Sequence, residues 1–198
     1  MIIDCAPNGD RATFSDDRRF QYHLYRRLHD RCERGPLGNP CMLDHGHDGD
    51  HYIERDVGRV ALFILFAPPL TDPFYDDPVT MNCMIRARHW DYDSISIVNL
   101  FALRCAGPED LRHATARGDD SANDDRILAA VRCTPLVVCA WGSDGWIGKR
   151  GAAVVGMLRK SRVPLHHLGM TAHGQPKHPI AKGRHSVPAG QRPIRWMK

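Results

Sequence analysis

Val60-Ala61-Leu62-Phe63-Ile64-Leu65-Phe66 decides how this chain folds. Seven consecutive apolar residues leave no polar face, so the segment suits a strand covered on both sides, in the middle of a largely parallel sheet. Ala67-Pro68-Pro69 stops it. Outward from it, Ser94 to Leu100 reads as a second strand around Ile95-Ser96-Ile97-Val98. Leu136-Val137-Val138-Cys139-Ala140 reads as a third, and Leu165-His166-His167-Leu168 as a short fourth. Between them lie helical patterns. Residues 79–90 carry Met81, Met84, Ile85 and Trp90 on one side. Pro108-Glu109-Asp110-Leu111 puts a proline and two acids where a helix starts. Residues 121–132 present Ile127, Leu128 and Val131, and residues 145–161 form the last helix. This alternation predicts an α/β fold: a three-layer α/β/α sandwich around a central four-stranded, mostly parallel sheet with right-handed crossovers.

Two regions fall outside the pattern. Residues 1–58 read as a polar, irregular segment packing on a core domain of residues 59–198. Within it, Phe20, Leu24, Tyr25 and Leu28 have the spacing of a short amphipathic helix, ended by Gly35, Pro36, Gly38 and Pro40. Cys32, Cys41, His45 and His47 are spaced C-x8-C-x3-H-x-H, which is not a common zinc-finger pattern, so no metal is expected there. The tail from Thr171 is proline-rich and basic, and reads as a solvated or crossing segment.

Composition bounds the classes. With 42% hydrophobic and 25% charged residues among 198, the chain is globular rather than disordered. Its longest apolar run, Val60 to Pro69, falls short of the ~18–20 residues of a membrane helix. The start, Met1-Ile2-Ile3-Asp4, lacks a basic flank and apolar core, and the seven cysteines are odd in number and irregularly spaced. Reduced thiols in a cytoplasm are the expectation. A net charge of +4 with twelve histidines permits a nucleic-acid partner without requiring one.

In parallel sheets, ligands sit at the carboxyl ends of the strands. Four polar or Gly/Pro-rich segments follow those ends here. They are Ala67 through Leu70, Thr71, Asp72, Pro73, Phe74, Tyr75, Asp76, Asp77 and Pro78; Asn99 to Arg104; Trp141-Gly142-Ser143-Asp144-Gly145; and Gly169 through His173, Lys177, His178 and Pro179. A rim with carboxylates, an amide, a glycine turn and a histidine has the layout of a catalytic cleft.

These residues also carry a resemblance. From about Arg59 to Ile180, the chain resembles a small bacterial and phage domain family long catalogued without a function. The matching pieces are Asp76-Asp77-Pro78, Trp90-Asp91-Tyr92, Val98-Asn99-Leu100-Phe101-Ala102, Ala140-Trp141-Gly142, and Leu168-Gly169-Met170-Thr171 through His178-Pro179. At a greater distance the order of loops is similar to that of the uracil-DNA glycosylase superfamily. Asn99 falls at its base-reading position and His178-Pro179 at its late His-Pro motif. The family's first loop has an asparagine where this chain has Ala67.

The resemblance implies a uracil-DNA-glycosylase-like fold and a monofunctional DNA glycosylase acting without a cofactor. The catalytic carboxylate would come from Asp72, Asp76 or Asp77, with His178 stabilising charge on the departing base. Asn99, Phe74, Trp141 and Ala67 would surround the base. Arg86, Arg104, Gly142, Ser143, His173 and Lys177 would contact DNA while the base leaves the duplex. The implied partner is double-stranded phage DNA with a modified pyrimidine, glucosylated hydroxymethylcytosine being the hypothesis, with the protein acting as a monomer in antiviral defence. No lysine is placed for Schiff-base chemistry, so no lyase step is expected.

Other readings stay open. Asp72 before Pro73 fits a simple turn, and Asp76 or Asp77 fits a helix cap. The three aspartates together would suit a metal-dependent phosphoesterase. A nucleosidase or deoxyribosyl transferase would break the same bond in free nucleotides. A non-catalytic nucleic-acid-binding protein would need no carboxylate at all.

Overall fold

The computed structural model describes residues 1–28, 58–115 and 122–196, of which 113–115 by backbone only. The strand quoted first is β4, Val60–Leu65, and its buried run lies where a covered central strand belongs. The other strands are β1 Ile2–Cys5, β2 Arg11–Phe14, β3 Gln21–Arg27, β5 Ser94–Asn99, β6 Leu136–Cys139, β7 Leu165–His167 and β8 Ile194–Arg195. The helices are α1 Pro78–His89, α2 Pro108–Thr115, α3 Ala122–Arg132 and α4 Arg150–Lys160. The last follows a 3₁₀ segment, Ser143–Lys149, so the helix expected over 145–161 starts later than its pattern.

Among the described residues, eight strands form one mixed sheet in the order β1-β2-β3-β5-β4-β6-β7-β8. The four expected strands pair in parallel, with Leu62 opposite Ser96 and Val137, and Val138 opposite His166. The sheet is wider than four strands. β1, β2 and β3 extend one side as antiparallel strands, and β8 adds two residues at the other edge.

Each face of the sheet carries its own core. On one, Phe63, Ile95, Ile97 and Val138 pack against Cys83, Met84 and Ala87 of α1. On the other, Leu62, Ile64, Val98 and Val137 pack against Leu111, Ile127, Val131, Val154 and Leu158 of the remaining helices. Two buried faces explain why β4 and β5 lack alternation.

The N-terminal expectation is overturned. The segment Phe20–Leu28 is not a helix: it contains β3, paired on both sides, Leu24 lying opposite Ala12 of β2 and Ile97 of β5. A spacing of four also fits a strand buried on both faces, and two ladders outweigh a single short helical turn. Residues 1–28 are therefore sheet, not irregular chain. The Cys32, Cys41, His45 and His47 cluster lies outside the described residues. Among the described residues no helix is long and apolar enough to cross a membrane. The described cysteines, Cys5, Cys83, Cys105, Cys133 and Cys139, are free thiols.

Candidate functional site

β4 and β5 run side by side and end together, so the loops that follow them open at one edge of the sheet. There a cavity of about 230 Å³ is lined by Ala67, Asp72, Asp77, Asn99 and His178. These are four of the sequence-predicted polar or catalytic positions plus the alanine of the first loop. The rest of the wall is mainly apolar, including Leu24, Leu65, Phe66, Pro68, Pro69 and Ile97. The volume is below the ~300–1,000 Å³ of drug-sized sites and suits a single ring. A larger cavity, about 650 Å³, lies between β2, β3 and the end of α3 and contains none of the predicted positions.

Asn99 is the last residue of β5 and is 4% exposed. Its side chain makes no hydrogen bond to another described residue, whereas its backbone is held firmly. Asn123 Nδ2 donates to the carbonyls of Asn99 at 3.1 Å and Leu100 at 3.0 Å. Arg150 Nε donates to the Leu100 carbonyl at 2.8 Å and its Nη2 pairs with Asp124 at 2.5 Å. A fixed backbone beneath a free carboxamide is the arrangement of a reading group, which offers one acceptor and two donors in a plane.

The three aspartates diverge. Asp77 caps α1: its Oδ1 accepts from Val79 N at 2.8 Å and Thr80 N at 3.1 Å, and its Oδ2 from the Thr80 hydroxyl at 2.5 Å. Pro78 follows at the first helical position, where its missing N–H costs nothing. Asp76 turns away to Arg26 of β3, Nη2 to Oδ1 at 2.5 Å, and Arg26 Nε also meets the buried Asp10 at 2.6 Å. Among the described residues the Asp72 carboxylate accepts only the Phe74 N–H, at 2.8 Å, on Oδ1. Its Oδ2 is unengaged among the described residues, which leaves it the carboxylate best able to act on a ligand. Among the described residues, no three His, Cys, Asp or Glu side chains converge as a metal site.

His178 is half-buried, and burial lowers its pKa, opposed by the charges of Asp144 and Asp77. Its Nδ1 accepts the Ile180 N–H at 3.4 Å, so the neutral ring carries its proton on Nε2. A neutral imidazole donating from Nε2 suits charge developing on a ligand oxygen. Gly142 seats this ring: it has φ +78°, its N–H donates to Pro176 O at 2.9 Å, and a Cβ there would lie 3.2 Å from His178 Cβ.

Other expected positions lie elsewhere. Trp141 is buried in the core beside Trp196, its indole N–H donating to Gln175 Oε1 at 2.9 Å, and has no face for a base. A tryptophan directly after a buried strand is carried inward with it. Phe74 packs on the α1 face of the core rather than in the cavity wall. Arg86 is buried, and its guanidinium donates to Asn82 Oδ1, Pro179 O, Val187 O and Pro188 O at 2.7–3.1 Å. It fastens the tail to α1 and presents nothing to a phosphate. Arg104 braces the first loop through the carbonyls of Pro69, Leu70 and Thr71. Ser143 and His173 are exposed and Lys177 half-exposed.

The sequence reading passed over three features. Leu70 and Tyr75 stand exposed on the first loop, at 59% and 68%. Asn123 is a buried polar group on a helix face that reads as apolar. Gln21, inside the segment whose spacing predicts a helix, lines the cavity with its Oε1 buried and unpartnered. Such an orphan costs about 1–3 kcal/mol. Only the strand pairing reveals it.

No curated protein matches the chain, and no solved structure matches it. The family described as "Protein of unknown function (DUF1643)" matches residues 51–180, which takes in α1, β4 to β7 and every cavity residue except those from β3. The match spans well over half of the chain, and the chain belongs to that family.

Proposed function

We propose that the protein is a monofunctional DNA glycosylase with a uracil-DNA-glycosylase-like fold. Its substrate in this reading is a modified pyrimidine in phage DNA, glucosylated hydroxymethylcytosine, and the product is an abasic site. The observation that carries the reading is the gathering of Asp72, Asn99 and His178 around one ring-sized cavity at the carboxyl ends of β4 and β5. A sugar appended to the base would project from the mouth.

Water attacks C1′ of the deoxyribose as the C1′–N1 bond breaks, and the bonding pair leaves with the base. The Asp72 carboxylate stabilises positive charge on the sugar and takes the proton of the attacking water. His178 Nε2–H donates to the base oxygen on which negative charge grows. Asn99 pairs with the edge of the extruded base. The exposed Leu70 and Tyr75 are apolar groups of the kind that fill the gap it leaves in the stack. Lys177, Ser143 and His173 remain for the phosphates.

The test is mass spectrometry of what the full chain releases from glucosylated phage DNA and from unmodified DNA. Release of the glucosylated base, with abasic sites in the modified DNA alone, is expected. No released base from either substrate overturns the proposal.

A further inference from the structure

Gln21 opens β3, the strand that lies between the N-terminal hairpin and β5. It is buried, lines the same cavity as Asn99, and leaves its Oε1 without a hydrogen bond. Its position depends on an irregularity in the sheet. Thr13 pairs with His23 and Phe14 with Gln21, so Tyr22 is one residue too many. In a regular strand, residues three apart point to opposite faces. The bulge brings Gln21 onto the same face as Leu24, and both line the cavity. Bulges re-aim side chains in this way beside binding sites. The backbone is fixed at the same point, since Gln21 N donates to Ala102 O at 2.8 Å.

A buried amide with an unfilled acceptor is a poor structural element, because an apolar residue of that shape would pack without the penalty. It is a good reading group. We infer that Gln21 is a specificity residue, whose amide takes a hydrogen-bond donor from a planar ring that Asn99 holds by another edge. The ligand class is a pyrimidine with an exocyclic amine or hydroxyl, of the cytosine type, rather than one lacking such a donor. The strand that supplies Gln21 lies outside residues 51–180, so this selectivity comes from β3 and not from the family-matched span. Identification of the ring as a base rests on the glycosylase reading, whereas the pairing of the two amides does not.

The experiment uses the full chain and its Gln21→Met and Gln21→Leu variants. It measures thermal unfolding and the binding of cytosine, 5-hydroxymethylcytosine and uracil by ligand-observed NMR. Both variants are expected to melt at or above the wild-type temperature. They should bind 5-hydroxymethylcytosine at least tenfold more weakly, with a smaller effect on uracil. Unchanged binding, melting lowered in both variants, or no binding of any of the three bases to wild type overturns the inference. Base binding that depends on Gln21, in a protein that releases nothing from DNA, leaves the inference standing and removes the glycosylase activity.

Discussion

Gly142 packs against His178 so closely that a methyl group on its Cα would lie 3.2 Å from the histidine Cβ. Its φ of +78° is also one that side chains rarely adopt. Gly142→Ala is therefore expected to cost about 1–3 kcal/mol through strain and crowding. Because the crowding falls on His178, base release by the proposed glycosylase should drop more than the change in stability accounts for. Urea unfolding alongside single-turnover kinetics checks both, and an unperturbed rate would show that the imidazole needs no support from this loop.

Asp72 and Asp77 should separate cleanly. Asp72→Asn removes charge from a carboxylate that holds only a turn N–H, so stability should stay within about 0.5 kcal/mol while activity falls about 100-fold or more. Asp77→Ala removes the cap of α1 and should cost about 1 kcal/mol, or roughly 2–4 °C in Tm. Asp77→Asn, which still caps, should restore most of that. If Asp77→Asn abolishes activity and Asp72→Asn does not, the roles are reversed.

Arg86→Met should loosen the tail. The substitution strands the carbonyls of Pro179, Val187 and Pro188, and an expected loss of about 3 kcal/mol follows from orphaned buried acceptors. Arg86→Lys should not rescue it, because a single ammonium lacks the planar fork that reaches four acceptors. Limited proteolysis should cut the variant within residues 182–196 faster than wild type. A tail equally resistant in both would show that other contacts hold it.

Acid should destabilise the fold well before the carboxylates titrate. Burial, reinforced by the charge of Arg11, lowers His23 from 6.5 to about 4. The unfolded chain takes up this proton below about 6.5 and the folded chain not until about 4, so stability falls as pH drops through that interval. The size is on the order of 3 kcal/mol for His23, with burial of His166, His167 and His178 adding in the same direction. Denaturant melts at pH 7.5, 6 and 4.5 give the slope, and His23→Gln should flatten it. Stability that rises on acidification would contradict the burial of these rings.

The parallel half of the fold was legible because β4 to β7 are apolar on both faces and are separated by helical patterns. The antiparallel half was not. β1 to β3 are short and mixed in character, and β3 has tyrosines, arginines and a glutamine whose orientation depends on a bulge no periodicity shows. At the site, Asn99, Asp72 and His178 were accessible to reasoning because strand ends converge by topology. Trp141 and Arg86 were misjudged for a common reason. Residue type alone does not say whether an aromatic or a cation faces outward, and both are turned inward by neighbours distant in sequence, Gln175 and Val187 among them.

The place of β3 against β5 has a practical consequence for anyone excising the family-matched part of this chain. A fragment spanning residues 51–180 would strip β5 of its antiparallel neighbour and bare a row of unpaired N–H and C=O groups along an apolar strand. Such an open border templates self-association. The fragment would clump instead of behaving as a minimal version of the protein, and the boundary drawn by sequence similarity is not the boundary at which the molecule folds.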